Sequence, residues 1–535
     1  MKARKRCDLW LLFCLSLGVR LLVAACISRP GYMDVAYYAA GAVRVAQGGG
    51  LSEPFLWNYL DDPVGLPHPG FLYWMPLPSM LASVPAFLFP GSFFALQLPF
   101  VFLSALLPLI AYSLAWVTSG QRRPAWMAAL ITLFSGYFFP YWTLPETFAP
   151  FALIGSLTLW LAVRWRPSAW HCLVLGALAG LAHLTRADGI LLLPVVALAS
   201  LVTSLSLNRH HLSSDDHHAQ CRIHSILSLT LFRTSFIFLG YLIVMAPWFL
   251  RNLLTIGVPL SPGGTKTLWL RTYDDLFCYG CDLSPRAYLA WGWWNIIRSK
   301  LEAAGINATR FLAENCLVFL LPPVLLGLYR RRRCPLFILS FVYLFLIFLT
   351  HSLVFTFPGP RGGFFHASAP VLPFIFAAGA EGLEVAVGWV ARRRRWKLGQ
   401  ALVVFSTAAV LAAVALSGYV AAQKLPSWRD ADAAYLEIDA WLEHQGVEAV
   451  IVMVSNPPAF WYHTGRSAVV VPNAGVETLI EVADRYGVGY VVMDRNRPEA
   501  LSELYRGVET AGLTLMTAFD GGKVQLYRRA QVGPQ

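Results

Sequence analysis

Residues 8–28 read DLWLLFCLSLGVRLLVAACIS, a nearly unbroken apolar run interrupted by Arg20 and preceded by the basic stretch Lys2 to Arg6. A helix needs about 20 largely apolar residues to cross a bilayer, and this run has the length. A basic start followed by apolar residues also opens secretory signal peptides. Here the apolar core is too long and no small-residue cleavage site precedes Arg29-Pro30, so the run reads as a retained signal anchor. Comparable runs recur at roughly 93–117, 124–143, 147–163, 169–184, 188–206, 226–249, 312–328, 335–354, 367–390 and 398–421, which predicts about eleven transmembrane helices. Composition agrees. Of 535 residues, 57% are apolar and 13% charged, against about 25% charged in soluble proteins. So few charges cannot cover a water-soluble surface of this length. Disorder, a fibrous repeat and a cytosolic enzyme are excluded, and an α-helical polytopic membrane protein remains.

The net charge of +12 invites a nucleic-acid reading, but that requires one basic face. The cations instead fall in short clusters between apolar runs: Lys2 to Arg6, Arg122-Arg123, Arg164 and Arg166, Arg330 to Arg333, and Arg392 to Lys397. This is the signature of cytoplasmic loops, so no nucleic-acid partner is expected. A cytoplasmic N-terminus places every later cluster on the same side. The outer face then receives a first loop near 29–92, a turn at 185–188, a large loop near 250–311, the connection 354–366 and the tail from about 422. Proline-punctuated stretches between Phe71 and Pro90 read as helices lying along the membrane surface. The His- and Asp-rich segment 208–224 reads as a solvated linker.

The composition changes near Leu425, which divides the chain into a transmembrane part, 1–424, and a tail, 425–535. The tail holds 14 acidic and 9 basic residues. Strand-like runs (449–454, 468–471, 490–493, 524–527) alternate with helix-like stretches near 430–445, 475–486 and 498–507. Such alternation predicts a small extracytoplasmic α/β domain with a largely parallel sheet. In the large outer loop, Cys278 and Cys281 are spaced for a local disulfide, and no second ligand pair follows to suggest zinc. Asn307-Ala308-Thr309 there matches a glycosylation sequon.

Charged side chains at the outer ends of spans carry the functional signal, because burial near a bilayer is costly without a partner or a use. Asp34 follows the first span in GYMDVAYYAAGAVRVAQGGG. On a helix it shares a face with Tyr37, Tyr38 and Gly41. A carboxylate beside two rings suits a sugar, whose hydroxyl proton it can accept; a first-turn acid favoured by the helix dipole is the structural alternative. Glu146, in TLPETFAPF, follows Pro145 at a predicted helix start. Arg186 and Asp188 lie in the turn LTRADG, where the arginine either pairs with a buried acid such as Glu146 or reads a phosphate. His68, Arg251, Arg361 and His366 also stand at outer span ends. Interfacial snorkelling explains any one of them. Five cations and two acids gathered at one face imply an anionic ligand at the outer leaflet.

The order of GYMDVAYYAAG, HPGFLYW, TLPETFAPF, AHLTRADGILLLP and PWFLRNLLTIGVP, with FWYHTGRSAVVVPN and RYGVGYVVMD in the tail, resembles the C-type (GT-C) integral-membrane glycosyltransferases. It is similar above all to the bacterial branch related to protein O-mannosyltransferases and aminoarabinose transferases. The resemblance implies an inner-membrane enzyme of the cell envelope, with membrane lipids around it. Such an enzyme moves a sugar from a polyprenyl-phosphate donor to an extracytoplasmic glycan, lipid or protein. It also implies Asp34 as general base with inversion at the anomeric carbon, and Glu146 as the second acid. Tyr37, Tyr38, His68, Arg186, Arg251, Arg361 and His366 are then expected to contact substrate, with His68 and Arg186 at the donor phosphate. Family members often carry an Asp-Glu pair, whereas Val35 follows Asp34 here. No metal ligand is therefore assigned, and a divalent metal ion stays open as a cofactor. A secondary transporter or lipid flippase is the competing class, and it would require repeated halves and polar residues near mid-bilayer. No repeat is visible in the sequence.

Overall fold

The computed structural model describes residues 2–164, 168–209 and 219–530; Arg166 and the centre of the His-rich linker lie outside them. Among the described residues, six helices are long and apolar enough to span a bilayer: Arg4–Ala25, Phe93–Ser119, Ser228–Ile256, Pro335–Val354, Gly359–Arg394 and Leu398–His444. Gly136–Thr143 and Phe148–Arg164 make a seventh if counted together across a bend of 110°. Leu77–Leu88, Ala169–Thr185 and Ala187–Val202 are apolar but shorter. The chain is a multi-pass membrane protein, but eleven helices of spanning length are not seen among the described residues. The run at 124–143 breaks into Arg122–Leu133 and a 3-10 segment, Gly136–Thr143. That at 312–328 breaks into a π turn, Phe311–Asn315, and the helix Leu321–Arg330. Broken backbone survives at membrane depth only where protein surrounds it. Phe138, Trp142, Cys316 and Leu317 at these breaks are accordingly buried.

The first loop forms a helix, Met33–Ala46, and two two-residue strands, β1 (Ser52–Glu53) and β2 (Phe55–Leu56). A third, β3 (His68–Pro69), pairs antiparallel with β1. Its last helix, Leu77–Leu88, leaves Met80, Val84, Phe87 and Leu88 exposed. The tail supplies β4 (Ile451–Val454), β5 (Ala468–Val470), β6 (Val488–Met493), β7 (Leu513–Phe519) and β8 (Val524–Arg529). The sheet order is β2-β5-β4-β6-β8-β7. Pairings β2/β5, β5/β4 and β4/β6 are parallel, and β6/β8 and β8/β7 antiparallel. β7 was not among the strand-like runs of the sequence; it lies at the sheet edge with only Leu513 buried, so it carries little apolar signal, and it ends at a turn, Asp520–Gly522. An edge strand also arrives from the first loop: Phe55 pairs with Ala468, and the Tyr59 hydroxyl donates to the Val470 carbonyl. The predicted disulfide joins Cys278 to Cys281. Asn307 is buried, its amide donating to the His351 carbonyl and the Ser352 hydroxyl, so the sequon is closed to modification in the folded chain.

The helix Leu398–Asp430 has 33 residues. At 1.5 Å per residue it is about 50 Å long, well beyond a hydrocarbon core of about 30 Å. Its far end brings Trp428 against Gly31, just before the helix that carries Asp34. Gly31 has φ +76°, and a Cβ there would stand 2.2 Å from Trp428 Cβ. Both the backbone region and the contact exclude a side chain. Gly31→Ala is expected to lower stability by about 1–3 kcal/mol, read as a lower midpoint of thermal unfolding in detergent. An unchanged midpoint would mean that this contact does not hold the two segments together.

Candidate functional site

Asp34 enters the helix Met33–Ala46 in its first turn, where the dipole favours a carboxylate. Its neighbours on the helix part company. Asp34 and Tyr38 line a cavity of about 210 Å³ with Tyr73, Trp74, Arg186, Asp188, Tyr273, His351, Arg361 and His366. Burial pushes the Asp34 carboxyl up to about 6, against the opposing pull of the Arg186 charge.

Glu146 sits in the bend after Gly136–Thr143 and is fully buried. Its Oε1 accepts from the Tyr32 hydroxyl, while Oε2 has no hydrogen-bond partner. His366 lies between the two acids. Its Nε2 is 3.9 Å from Asp34 Oδ2, and its Nδ1 is 3.9 Å from Glu146 Oε2. The Thr147 hydroxyl 2.8 Å from Nδ1 and the Phe148 ring stacked at 3.8 Å fix the imidazole plane. One ligand atom from each of Asp34, Glu146 and His366 falls within 4.8 Å of the others. Two carboxylates and an imidazole, with one buried oxygen unsatisfied, fit a divalent cation.

Arg186 pairs not with Glu146 but with Asp188, Nε and Nη2 donating to the two carboxylate oxygens at 3.0 and 2.7 Å. His351 Nε2 lies 3.0 Å from Asp188 Oδ2 on the other side. Arg361 stacks on Tyr273, 4.9 Å from the ring centre, and has no ion-pair partner among the described residues. The cavity therefore holds one guanidinium neutralised locally and one whose charge is available to a ligand.

Tyr37, His68 and Arg251 are not brought to this cavity. They surround Glu53, whose Oε1 accepts from the Tyr37 hydroxyl at 2.5 Å and from the Phe71 amide at 2.6 Å. His68 Nε2 is 3.0 Å from the Phe55 carbonyl and 3.7 Å from Glu53 Oε2. Arg251 donates to the Leu51 carbonyl at 2.7 Å and stacks on Trp248. Burial raises the Glu53 carboxyl, with His68 pulling the other way. This network braces the loop beneath the Asp34 helix.

Sequence reasoning missed Glu53, Tyr73, Trp74, Tyr273 and His351. His351 had a signal: an ionisable residue inside an apolar run marks function by default.

No family model and no curated protein matches the sequence. Among solved structures, ArnT from Cupriavidus metallidurans bound to undecaprenyl phosphate is 13% identical. It matches over 98% of this chain and 99% of its own, with a TM-score of 0.54. The archaeal oligosaccharyltransferase AglB from Archaeoglobus fulgidus, in complex with an inhibitory peptide and a dolichol-phosphate, is 14% identical. There the match covers 98% of this chain and 75% of AglB, with a TM-score of 0.50. An A. fulgidus oligosaccharyltransferase in complex with zinc and sulfate is 15% identical over 92% of this chain and 68% of its own, at 0.52. At such identities the likeness speaks for architecture: the chain has the fold of the GT-C integral-membrane glycosyltransferases.

Proposed function

We propose that this chain is a glycosyltransferase that moves a sugar from a polyprenyl-phosphate donor to an acceptor on the extracytoplasmic side of the inner membrane. The observation that carries the reading is a base and a phosphate reader in one cavity: Asp34 with its raised carboxyl, and Arg361 with no ion-pair partner among the described residues. The bound lipid phosphates of the two neighbours support it. The acceptor hydroxyl gives its proton to Asp34 as its oxygen attacks the anomeric carbon. The bond from that carbon to the donor phosphate breaks, and its electron pair leaves with the phosphate oxygen. One displacement inverts the configuration. Arg361, with Arg186 in the same cavity, stabilises the negative charge that develops on the phosphate. Tyr38, Tyr73 and Trp74 offer faces to the sugar. Glu146 and His366, with Asp34, would hold a divalent cation, which would add charge stabilisation at the leaving phosphate. Tyr37, His68 and Arg251 support the reaction by fixing the loop that carries the base.

Arg361→Ala tests this. A hydrogen bond to a charged group contributes about 1.5–3 kcal/mol, so affinity for a polyprenyl phosphate is expected to fall roughly 10- to 100-fold. Equal lipid-phosphate binding by wild type and variant, measured on purified protein, would remove Arg361 from the donor site. A transporter would instead move the lipid without cleaving it, and product analysis separates the two.

A further inference from the structure

The tail contains a second cavity that the reaction above does not use. Chain order and sheet order diverge at β4: β5 follows it on one side and β6 on the other. The connections leaving β4 and β6 therefore diverge and open a crevice beyond their carboxyl ends. Open α/β sheets bind ligands at such points. Here the crevice is real, about 130 Å³, and its polar lining is Ser455, Asn473, Asn496, Arg497 and, from the large outer loop, Asp274. Ser455 donates to Asp494 at the end of β6 and its oxygen lies 3.3 Å from the Tyr435 hydroxyl, which leaves one lone pair to accept from a ligand. Arg497 lies 3.6 Å from the Tyr505 ring centre, its Nη1 donates to the Asp494 and Arg495 carbonyls at 3.4 Å, and its buried Nε has no hydrogen-bond partner. Phe277 contributes an apolar wall.

The lining chemistry selects the ligand class. Within the lining one guanidinium and one carboxylate cancel, and Asp494 just outside it is satisfied by the Ser455 hydroxyl and the Asn496 amide, while two carboxamides and a hydroxyl supply donors and acceptors. An anion would meet Asp274, and an apolar group would strand these polar atoms. A face of neutral hydroxyls satisfies both kinds. The crevice also adjoins the catalytic cavity. Tyr273 lines that cavity and the next residue, Asp274, lines the crevice, on one short 3-10 turn, Tyr273–Phe277.

We infer that the crevice at the carboxyl ends of β4 and β6 binds one neutral sugar residue, edge-on, through Arg497, Asn473 and Ser455. That this sugar belongs to the acceptor rests on the glycosyltransferase reading; the binding site itself does not.

The test uses purified full-length protein in detergent. Saturation-transfer NMR is recorded with the methyl glycosides of mannose, galactose, glucose and arabinose at millimolar concentration, and with inorganic phosphate as competitor. The expected result is transfer to the ring protons of at least one glycoside, lost in Arg497→Ala, kept in Asp34→Asn and insensitive to phosphate. Asn496→Trp, which closes the mouth from an exposed position, is expected to abolish the signal as well, so a folding defect in Arg497→Ala does not spare the idea. No glycoside signal in wild type, a signal that survives Asn496→Trp, or displacement by phosphate would overturn it. Binding that persists when Asp34→Asn transfers sugar normally would sink the catalytic reading and leave the crevice standing.

Discussion

Replacing Asp34 by Asn is expected to lower sugar transfer by about 10²- to 10⁴-fold, the usual worth of a positioned general base, with donor binding retained. Asn keeps the shape and the first-turn position but cannot take a proton. The wild-type pH profile is a second reading of the same group. The groups facing the carboxyl are Arg186, His366, Glu146 and Tyr38. Burial raises it to about 6, and Arg186 limits the rise. A base works when ionised, so in protein stripped of divalent cations kcat/KM is expected to be level above this value and to fall about tenfold per pH unit below it. A cation held by Asp34, Glu146 and His366 would move the fall to lower pH. An Asn variant with near-normal transfer, or a wild-type rate that holds undiminished to pH 4 in the stripped protein, would remove Asp34 from proton transfer.

The second large effect is on Arg186. Arg186→Ala leaves Asp188 buried without its fork of donors, and breaking one side of a buried pair costs about 3–5 kcal/mol. Thermal unfolding in detergent should show a marked loss, and the preparation should bind lipid phosphate more weakly. Arg186→Lys keeps the charge but not the two parallel bonds, so it should recover only part of the stability. Arg186→Ala with Asp188→Ala should be milder than Arg186→Ala alone, because the stranded carboxylate is gone and the two effects are coupled. Additive losses in the double variant would show that the ion pair seen at 2.7 Å is incidental to folding.

How far the sequence foretold this site follows from what holds each residue in place. Asp34, Arg186, Arg361 and His366 stand beside span ends, so the rule that buried charge needs a purpose picks them out, Tyr38 follows from its helical spacing to Asp34, and the fold assembles all five. Tyr37 shares the helical face predicted for Asp34, yet the chain supplied Glu53, a buried acid in a two-residue strand with no periodic signature, and the tyrosine turned to it. His68 followed the same acid. The expected count of about eleven helices is not reproduced among the described residues, for a related reason. Hydropathy reports how apolar a segment is, not whether its backbone is continuous, and the breaks at 134–136 and 316–320 are paid for by neighbours far away in sequence. The tail strands β4, β5, β6 and β8 were legible from alternation; β2 was not, since nothing in two residues announces a partner in another part of the chain.

That borrowed strand ties the timing of synthesis to competence. Phe55 and Leu56 leave the ribosome early, but the strand they pair with is encoded near the other end, with Tyr59 and its acceptor at Val470 411 positions apart. Until the final segment is made and docked, the loop carrying the acid keeps an open hydrogen-bonding edge and lacks a wall. A half-made or clipped chain lacks the strand that completes this loop.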